Sequence, residues 1–256
     1  MDNVLTRKLQ LFGELPSDDR KLLDEIIKLS FKVPADQELI REGDKPENVH
    51  VILSGLACRS QLLRNGRRQI TAFLLPGDFC DLHIFILKTM DHDISTLAPS
   101  TVVRVPRARV LELTQRPGIA RALWWTTLVD EATLRAALVN LGQRSAEERI
   151  AHLLCELHLR MLSVGLAEDG KFSLPLTQAE LADSTGISIV HANRCIQSLR
   201  SKKLIVFSGK TLSIVDIDGL RNLAEFNSRY LHLDGGKHDN ISKRKVSDDV
   251  RGSGST

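Results

Sequence analysis

Nowhere in its 256 residues does the chain hold an uninterrupted apolar run of the about 18 residues that a membrane-spanning helix needs. Its four cysteines, Cys58, Cys80, Cys155 and Cys195, are too far apart for a C-x-x-C pair, and no histidine pair sits at zinc-finger spacing. That usage argues against a disulfide framework and for a reducing compartment, the cytoplasm. The opening MDNVLTRKLQLFGELPSDDR is charged and has no long apolar stretch, so no export signal and no membrane are expected. A P-loop, a dinucleotide-binding glycine fingerprint, a G-x-S-x-G elbow and paired carboxylates in a pocket are all missing. Enzymes are thereby set aside, with no catalytic residue and no metal ligand expected.

What is present divides into regions of different periodicity. A net charge of +3 is modest, so the distribution of charge matters more than its sum. From about residue 37 to 106 short β-rich runs alternate with turn residues, as in NVHVILSG and STLAPSTVVRVP, which reads as a small β-roll or barrel. Asn65 and Gly66 favour a type I′ hairpin turn between two of these runs. Over residues 118–142 the turn residues thin out. Ala120, Trp124, Thr127, Glu131, Leu134, Leu138 and Leu141 then step by four and three, a stripe suited either to pairing with a second helix or to packing on its own domain.

The stretch TQAELADSTGISIVHANRCIQSLR, residues 177–200, carries the most specific signal. Thr177 and Glu180 have capping-box spacing, Gly186 offers the positive φ of a sharp turn, and Ser188 can cap a second helix. In that second helix Ile189, Ala192, Cys195, Ile196 and Leu199 supply an inner stripe. Val190, His191, Asn193, Arg194, Gln197 and Arg200 are left on the other face, and the residues from 188 to 203 include four bases and no acid. Such a plan is a helix-turn-helix whose second helix enters the major groove of double-stranded DNA. Arginine can read guanine and asparagine adenine, while Thr177, Gln178, Ser188 and Lys202 complete the expected contact set. A two-stranded wing turning at residues 208–209 and a short helix follow.

Together, IREGDKPENVHVILSGLA, LLPGDF and LTQAELADSTGISIVHANRCIQSLRSKKLI resemble the Crp/Fnr family of bacterial transcription regulators over residues 5–226. The resemblance implies an α+β fold: a cyclic-nucleotide-binding-like jelly roll (1–116), a long dimerisation helix (117–144) and a winged helix-turn-helix (145–226), while the polar, charged composition of the remainder predicts a mostly disordered tail (227–256). It further implies a homodimer on a near-palindromic operator, paired through Trp124, Thr127, Leu134, Leu138 and Leu141, and RNA polymerase as a further partner. Gly77, Asp78, Phe79, Cys80, His83 and His92 would border an effector pocket.

Departures from the family pattern bear on the ligand. Where cyclic-AMP-binding members carry a glutamate and an Arg-Ser pair, an ungapped count gives Leu82, His92 and Asp93, so cyclic AMP is not the expected effector. The first cysteine is Cys58, which leaves no N-terminal cluster for an iron–sulfur cofactor, and Cys80 with His83 reads as packing rather than haem ligation. Val190 stands where the family often has a cytosine-reading glutamate.

Three smaller features have plainer readings. His152, Cys155, Glu156 and His158 in HLLCELH interleave with leucines and read as core, Cys195 reads as a small buried hydrophobe, and Arg59, Arg64, Arg67 and Arg68 read as a solvated hairpin. The competing function is a ligand-sensing module that acts on a partner protein without touching DNA.

Overall fold

The computed structural model describes residues 2–82, 86–87 and 89–233. Two helices not anticipated from sequence open the chain, α1 (Val4–Leu9) and α2 (Ser17–Ile27). Asn3 caps α1 by accepting from the Thr6 amide at 2.9 Å. Both helices are short, and their apolar residues gain stability only by packing on the domain that follows.

Among the described residues that domain is a roll of seven antiparallel strands: β1 (Ser30–Val33), β2 (Glu38–Ile40), β3 (Asn48–Ser54), β4 (Ala57–Leu62), β5 (Arg68–Leu74), β6 (Asp93–Thr96) and β7 (Ser100–Pro106). They form two sheets, in the orders β1-β7-β3 and β2-β6-β4-β5. Alternation along the strands sorts the side chains. Ile52 and Val102 join Val33, Ile40, Leu74 and Ile94 between the sheets. Val49, Val51, Val103 and Val105 face outward, under Leu5, Leu9, Leu23 and Ile26 of the first two helices.

The β4–β5 turn differs from the type I′ expectation. Only Gly66 has positive φ, at 79°, and the Leu63 carbonyl accepts from the Gly66 amide while the Leu63 amide donates to the Arg67 carbonyl. This is a three-residue loop, a type I turn closed by a left-handed glycine, and it needs one residue fewer in the strained region. The arginines of this hairpin also depart from a solvated reading. Arg59 is half-buried and donates to the Cys80 and Phe79 carbonyls and to Asp130, and Arg68 pairs with Asp183 at 2.9 Å. Arg64 and Arg67 are exposed.

After α3 (Arg107–Thr114) comes the long helix α4 (Pro117–Gln143), with Pro117 in its first turn. Arg144 and Ser145 are extended and break it from α5 (Ala146–Ser163), whose capping box of Ser145 and Glu148 forms as the spacing predicts. The rest is a small winged domain: β8 (Ala167–Glu168), β9 (Lys171–Ser173), α6 (Gln178–Thr185), α7 (Ile189–Ser201), β10 (Ile205–Ser208), β11 (Thr211–Ile214) and α8 (Ile217–Leu223). Its four strands pair in the order β10-β11-β9-β8.

Roll and winged domain share a core. Leu56, Cys58, Ile70 and Phe73 of the roll belong to the same apolar cluster as Leu154, Cys155, Leu181, Ile196 and Leu199. Order also runs past residue 227, where the expected tail began: Ser228–Leu231 form a 3-10 turn with Leu231 buried. The remainder of that expected tail, residues 234–256, lies outside the described residues. Among the described residues no helix is long and apolar enough to cross a membrane.

Candidate nucleic-acid interface

Local sequence builds the two-helix unit. Thr177 Oγ1 accepts from the Glu180 amide at 3.2 Å and Glu180 Oε2 accepts from the Thr177 amide at 2.6 Å, so both orphan donors at the start of α6 are satisfied. Gly186 ends α6 at φ 66°, a left-handed conformation that costs glycine little. A Cβ there would also sit 3.3 Å from Leu141 of α4, so the turn lies close against the long helix. Ser188 Oγ then accepts from the His191 amide and starts α7. Tertiary bonds fix the end of α6: Arg68 pairs with Asp183, Gln69 donates to the Ser184 carbonyl and Arg149 to the Thr185 carbonyl.

Ala192, Cys195, Ile196 and Leu199 are buried under α7, as the spacing predicts. Ile189 is not; it is 53% exposed and borders a groove with Gln178, Val190, Asn193, Arg194 and Gln197. It occupies the first turn of the helix, ahead of the point where α7 meets the core. Thr177, Gln178, Ser188, Val190, His191, Arg194, Gln197, Arg200 and Lys202 are exposed, and Asn193 is half-buried. Every residue expected at the DNA surface except Asn193 is therefore open to solvent, and most gather on one side of α6 and α7.

Sequence alone missed an acid at this surface. Glu147, from the first turn of α5, holds Lys202 Nζ with both carboxylate oxygens at 2.8 Å. A second groove, between the start of α5 and α7, brings Glu147 beside Arg194 and Cys195. Burial, and after it Glu147, push the Cys195 thiol up, so it is protonated at neutral pH and a poor nucleophile.

On α4 the residues expected to pair split into groups. Trp124 and Leu138 are 79% and 71% exposed, and Thr127 and Leu134 are also exposed. Leu141 is half-buried and meets the turn glycine instead. Leu128 and Val139, absent from the expected stripe, are exposed apolar side chains. Trp124, Leu128, Glu131, Arg135 and Leu138 thus make an outward stripe at alternating steps of four and three, with Glu131 and Arg135 paired at 2.6 Å in its middle.

Between the roll and α4 lies a cavity of about 420 Å³. Of the residues expected at an effector pocket, Asp78, Phe79 and His92 line it. Gly77 instead backs onto Lys8 and Val4 of α1, Cys80 lies between the sheets, and His83 is outside the described residues. The lining residues missed from sequence come from other elements: Lys8, Arg59, Thr71, Thr126 and Asp130. Asp78 is buried, yet Lys8 and Arg160, each at 2.7 Å, hold its carboxyl down at about 2 against the pull of desolvation.

HLLCELH is structural. His152 accepts from Asn140 at 2.9 Å, Glu156 pairs with Arg160, and among the described residues no three His, Cys, Asp or Glu side chains gather as metal ligands.

A winged two-helix unit with an exposed, acid-free second helix, joined to a β-roll by a long helix that borders a cavity, defines a DNA-binding regulator. Comparison with known proteins agrees. Residues 30–117 match the cyclic nucleotide-binding domain and residues 148–223 the Crp-like helix-turn-helix domain. The transcriptional activator protein FnrL of Cereibacter sphaeroides is 30% identical over 195 residues, 75% of this chain and 78% of FnrL. The nitrogen fixation regulation protein FixK of Bradyrhizobium diazoefficiens is 28% identical over 181 residues, 70% of this chain and 75% of that protein. The solved structure of FixK2 from Bradyrhizobium japonicum superposes with a TM-score of 0.66 at 28% identity, covering 76% of this chain and 96% of that one. The chain belongs to the Crp/Fnr family of transcription regulators, and it is a DNA-binding regulator. The curated relatives it matches are regulators too, so the reading as a module that avoids DNA is set aside.

Proposed function

We propose that the protein acts as a homodimer on a near-palindromic operator, each protomer laying α7 in a major groove. The observation that carries this is the exposed, acid-free face of α7 with Arg194 at its centre. Arg194 would bond guanine O6 and N7, Asn193 would face adenine and Val190 a thymine methyl. Thr177, Gln178, Ser188, Arg200 and Lys202 would set the register on phosphates. The outward stripe of α4 supplies the dimer contact through Trp124, Leu128 and Leu138, with half-sites on the order of 34–36 Å apart. A footprint on chromosomal DNA tests this reading. Two-fold symmetric protection that weakens steeply with salt is expected, and an asymmetric footprint would sink it.

The cavity beside α4 is not a cyclic-phosphate site in this reading. Its lining sets Asp78, Asp91, Asp130 and Glu131 against Lys8 and Arg59, and Arg59 is already bound to Asp130. No arginine fork is left for a phosphate. Nor does Cys80 suit a haem: burial, then Asp81, push its thiol well above the usual range, and a neutral thiol is a weak ligand. The four cysteines are all buried and scattered, which leaves no cradle for an iron–sulfur cluster. Calorimetric titration with cyclic AMP is expected to show no saturable heat. The site of action is the cytoplasm. FnrL is named an activator, and activation here would require contact with RNA polymerase. In vitro transcription with purified polymerase on the footprinted promoter tests that.

A further inference from the structure

The match to the helix-turn-helix family stops at residue 223, but the described chain runs on to residue 233 and turns back over the junction of α4 and α5. Three sets of contacts tie it there. Arg144, the residue that ends α4, donates from Nε to the Ala224 carbonyl at 3.0 Å and from Nη2 to the Glu225 carbonyl. The ring of His152 on α5 stacks on Tyr230 at 5.9 Å and 12°, and meets the edge of Phe226 at 5.0 Å. Tyr230 Oη donates to Glu156 Oε2 at 2.8 Å. Burial, with Glu156 beside it, pushes the phenol up, so the proton stays on Tyr230 to be donated.

These contacts extend in both directions. On the α4 side, Asn140 donates to His152 Nδ1 at 2.9 Å and accepts from Arg144 at 3.1 Å. On the roll side, Glu156 accepts from Arg160 at 3.2 Å, and Arg160 bonds Asp78 at 2.7 Å and the Phe73 carbonyl at 3.0 Å. Polar bonds and ring contacts, most of them at least partly buried, therefore run from α4 through residues 224–233 and α5 to the roll.

The junction matters because only Arg144 and Ser145 separate two long helices. Each residue has two soft dihedrals, and a small change in them swings α7 relative to α4. In a dimer built on α4, any such swing is applied once in each protomer and changes the distance between the two reading helices.

We propose that residues 224–233 brace this junction, and that Tyr230 is a positioning residue that fixes the separation of the two copies of α7 and hence the half-site spacing the protein accepts. The inference rests on the dimeric DNA-binding reading above. Tyr230 lies outside the set of residues assigned to DNA, so its removal should leave the bases read within a half-site unchanged.

The test is selection by the full-length chain from a pool of duplexes, randomised in sequence and varied in spacer length by single base pairs. Tyr230→Phe, Tyr230→Ala and Arg144→Gln are run beside the parent protein. The parent is expected to enrich one half-site sequence at one spacing. Tyr230→Ala is expected to enrich the same half-site with its preference over spacers one base pair longer or shorter reduced about tenfold, the scale of one hydrogen bond to a buried charge. Tyr230→Phe keeps the stacked ring and should fall between, and Arg144→Gln should broaden spacing in the same way. Unchanged spacing preference in all three overturns the inference. So does an equal loss of affinity at every spacing, because that marks a general loss of stability. A parent chain that enriches no two-fold sequence would sink this inference and the dimeric reading together.

Discussion

Arg194 within α7 and Lys202 at its C-terminal cap are both basic and exposed, but their surroundings give them different roles. Among the described residues Arg194 forms no ion pair, whereas Lys202 is held by both oxygens of Glu147. Arg194→Ala should lose about 1–3 kcal/mol on the selected operator and relax the preference at one base pair, as fluorescence anisotropy against single-base variants would show. Lys202→Ala should weaken specific and scrambled duplexes alike, and by less, since binding must first break its ion pair. Glu147→Gln should tighten both, because it frees Lys202 and removes an acid from beside α7. If Glu147→Gln left affinity for scrambled DNA unchanged, that acid would lie too far from the phosphates to matter. Cys195 is also defined by its surroundings. Buried, and with its thiol pushed up, it should resist alkylation at neutral pH in the folded chain, which mass spectrometry after iodoacetamide treatment would check.

Individual elements were legible in the sequence where their signals were local. The capping boxes at Ser145 and Thr177, the turn at Gly186 and the buried stripe from Ala192 to Leu199 each depend on residues within a turn or two of one another. Features that depend on distant partners were not legible. Lys202 meets Glu147 across 55 positions, and Arg59 meets Asp130 across 71. Tyr230 finds Glu156 across 74, so a polar C-terminal stretch gave no sign that its first part folds. The outward stripe of α4 was half legible. Counting steps of four and three from Trp124 reached Leu138, but the register through Leu128 and Arg135 emerges only once Leu141 is seen to face the turn glycine. A charge placed in that stripe should separate the protomers. Leu138→Glu is expected to elute as a monomer in light-scattering chromatography and to lose tight operator binding, because two linked half-sites become two weak ones. Monomeric Leu138→Glu that still footprints both half-sites would refute that stripe as the dimer contact.

At the scale of the whole molecule, acid is the condition the fold is least suited to. Burial, then Arg144, hold the His152 value at about 4, below its usual 6.5, while an unfolded chain would take up its proton near 6.5. The unfolded state binds more protons between those limits, so stability is full above about pH 6.5 and falls as pH drops toward 4. His158, lowered by burial with neither ring nitrogen partnered among the described contacts, acts in the same direction. Asp78, at about 2 against an ordinary 3.8, adds a second loss between those values. Thermal melts should therefore show a lower midpoint at pH 5 than at pH 7.5. His152→Gln, which can still accept from Asn140, should flatten that slope.

The shared apolar cluster joining Leu56 and Phe73 to Leu154 and Leu181 has a consequence for how the molecule comes apart. With a common interior, roll and winged domain should melt in one calorimetric endotherm rather than two. Either piece excised alone would carry a bare greasy flank and tend to clump. A chimaera that grafts a foreign roll onto this winged domain would have to import the matching flank as well, so in this protein the two domains are inherited as a single cooperative body.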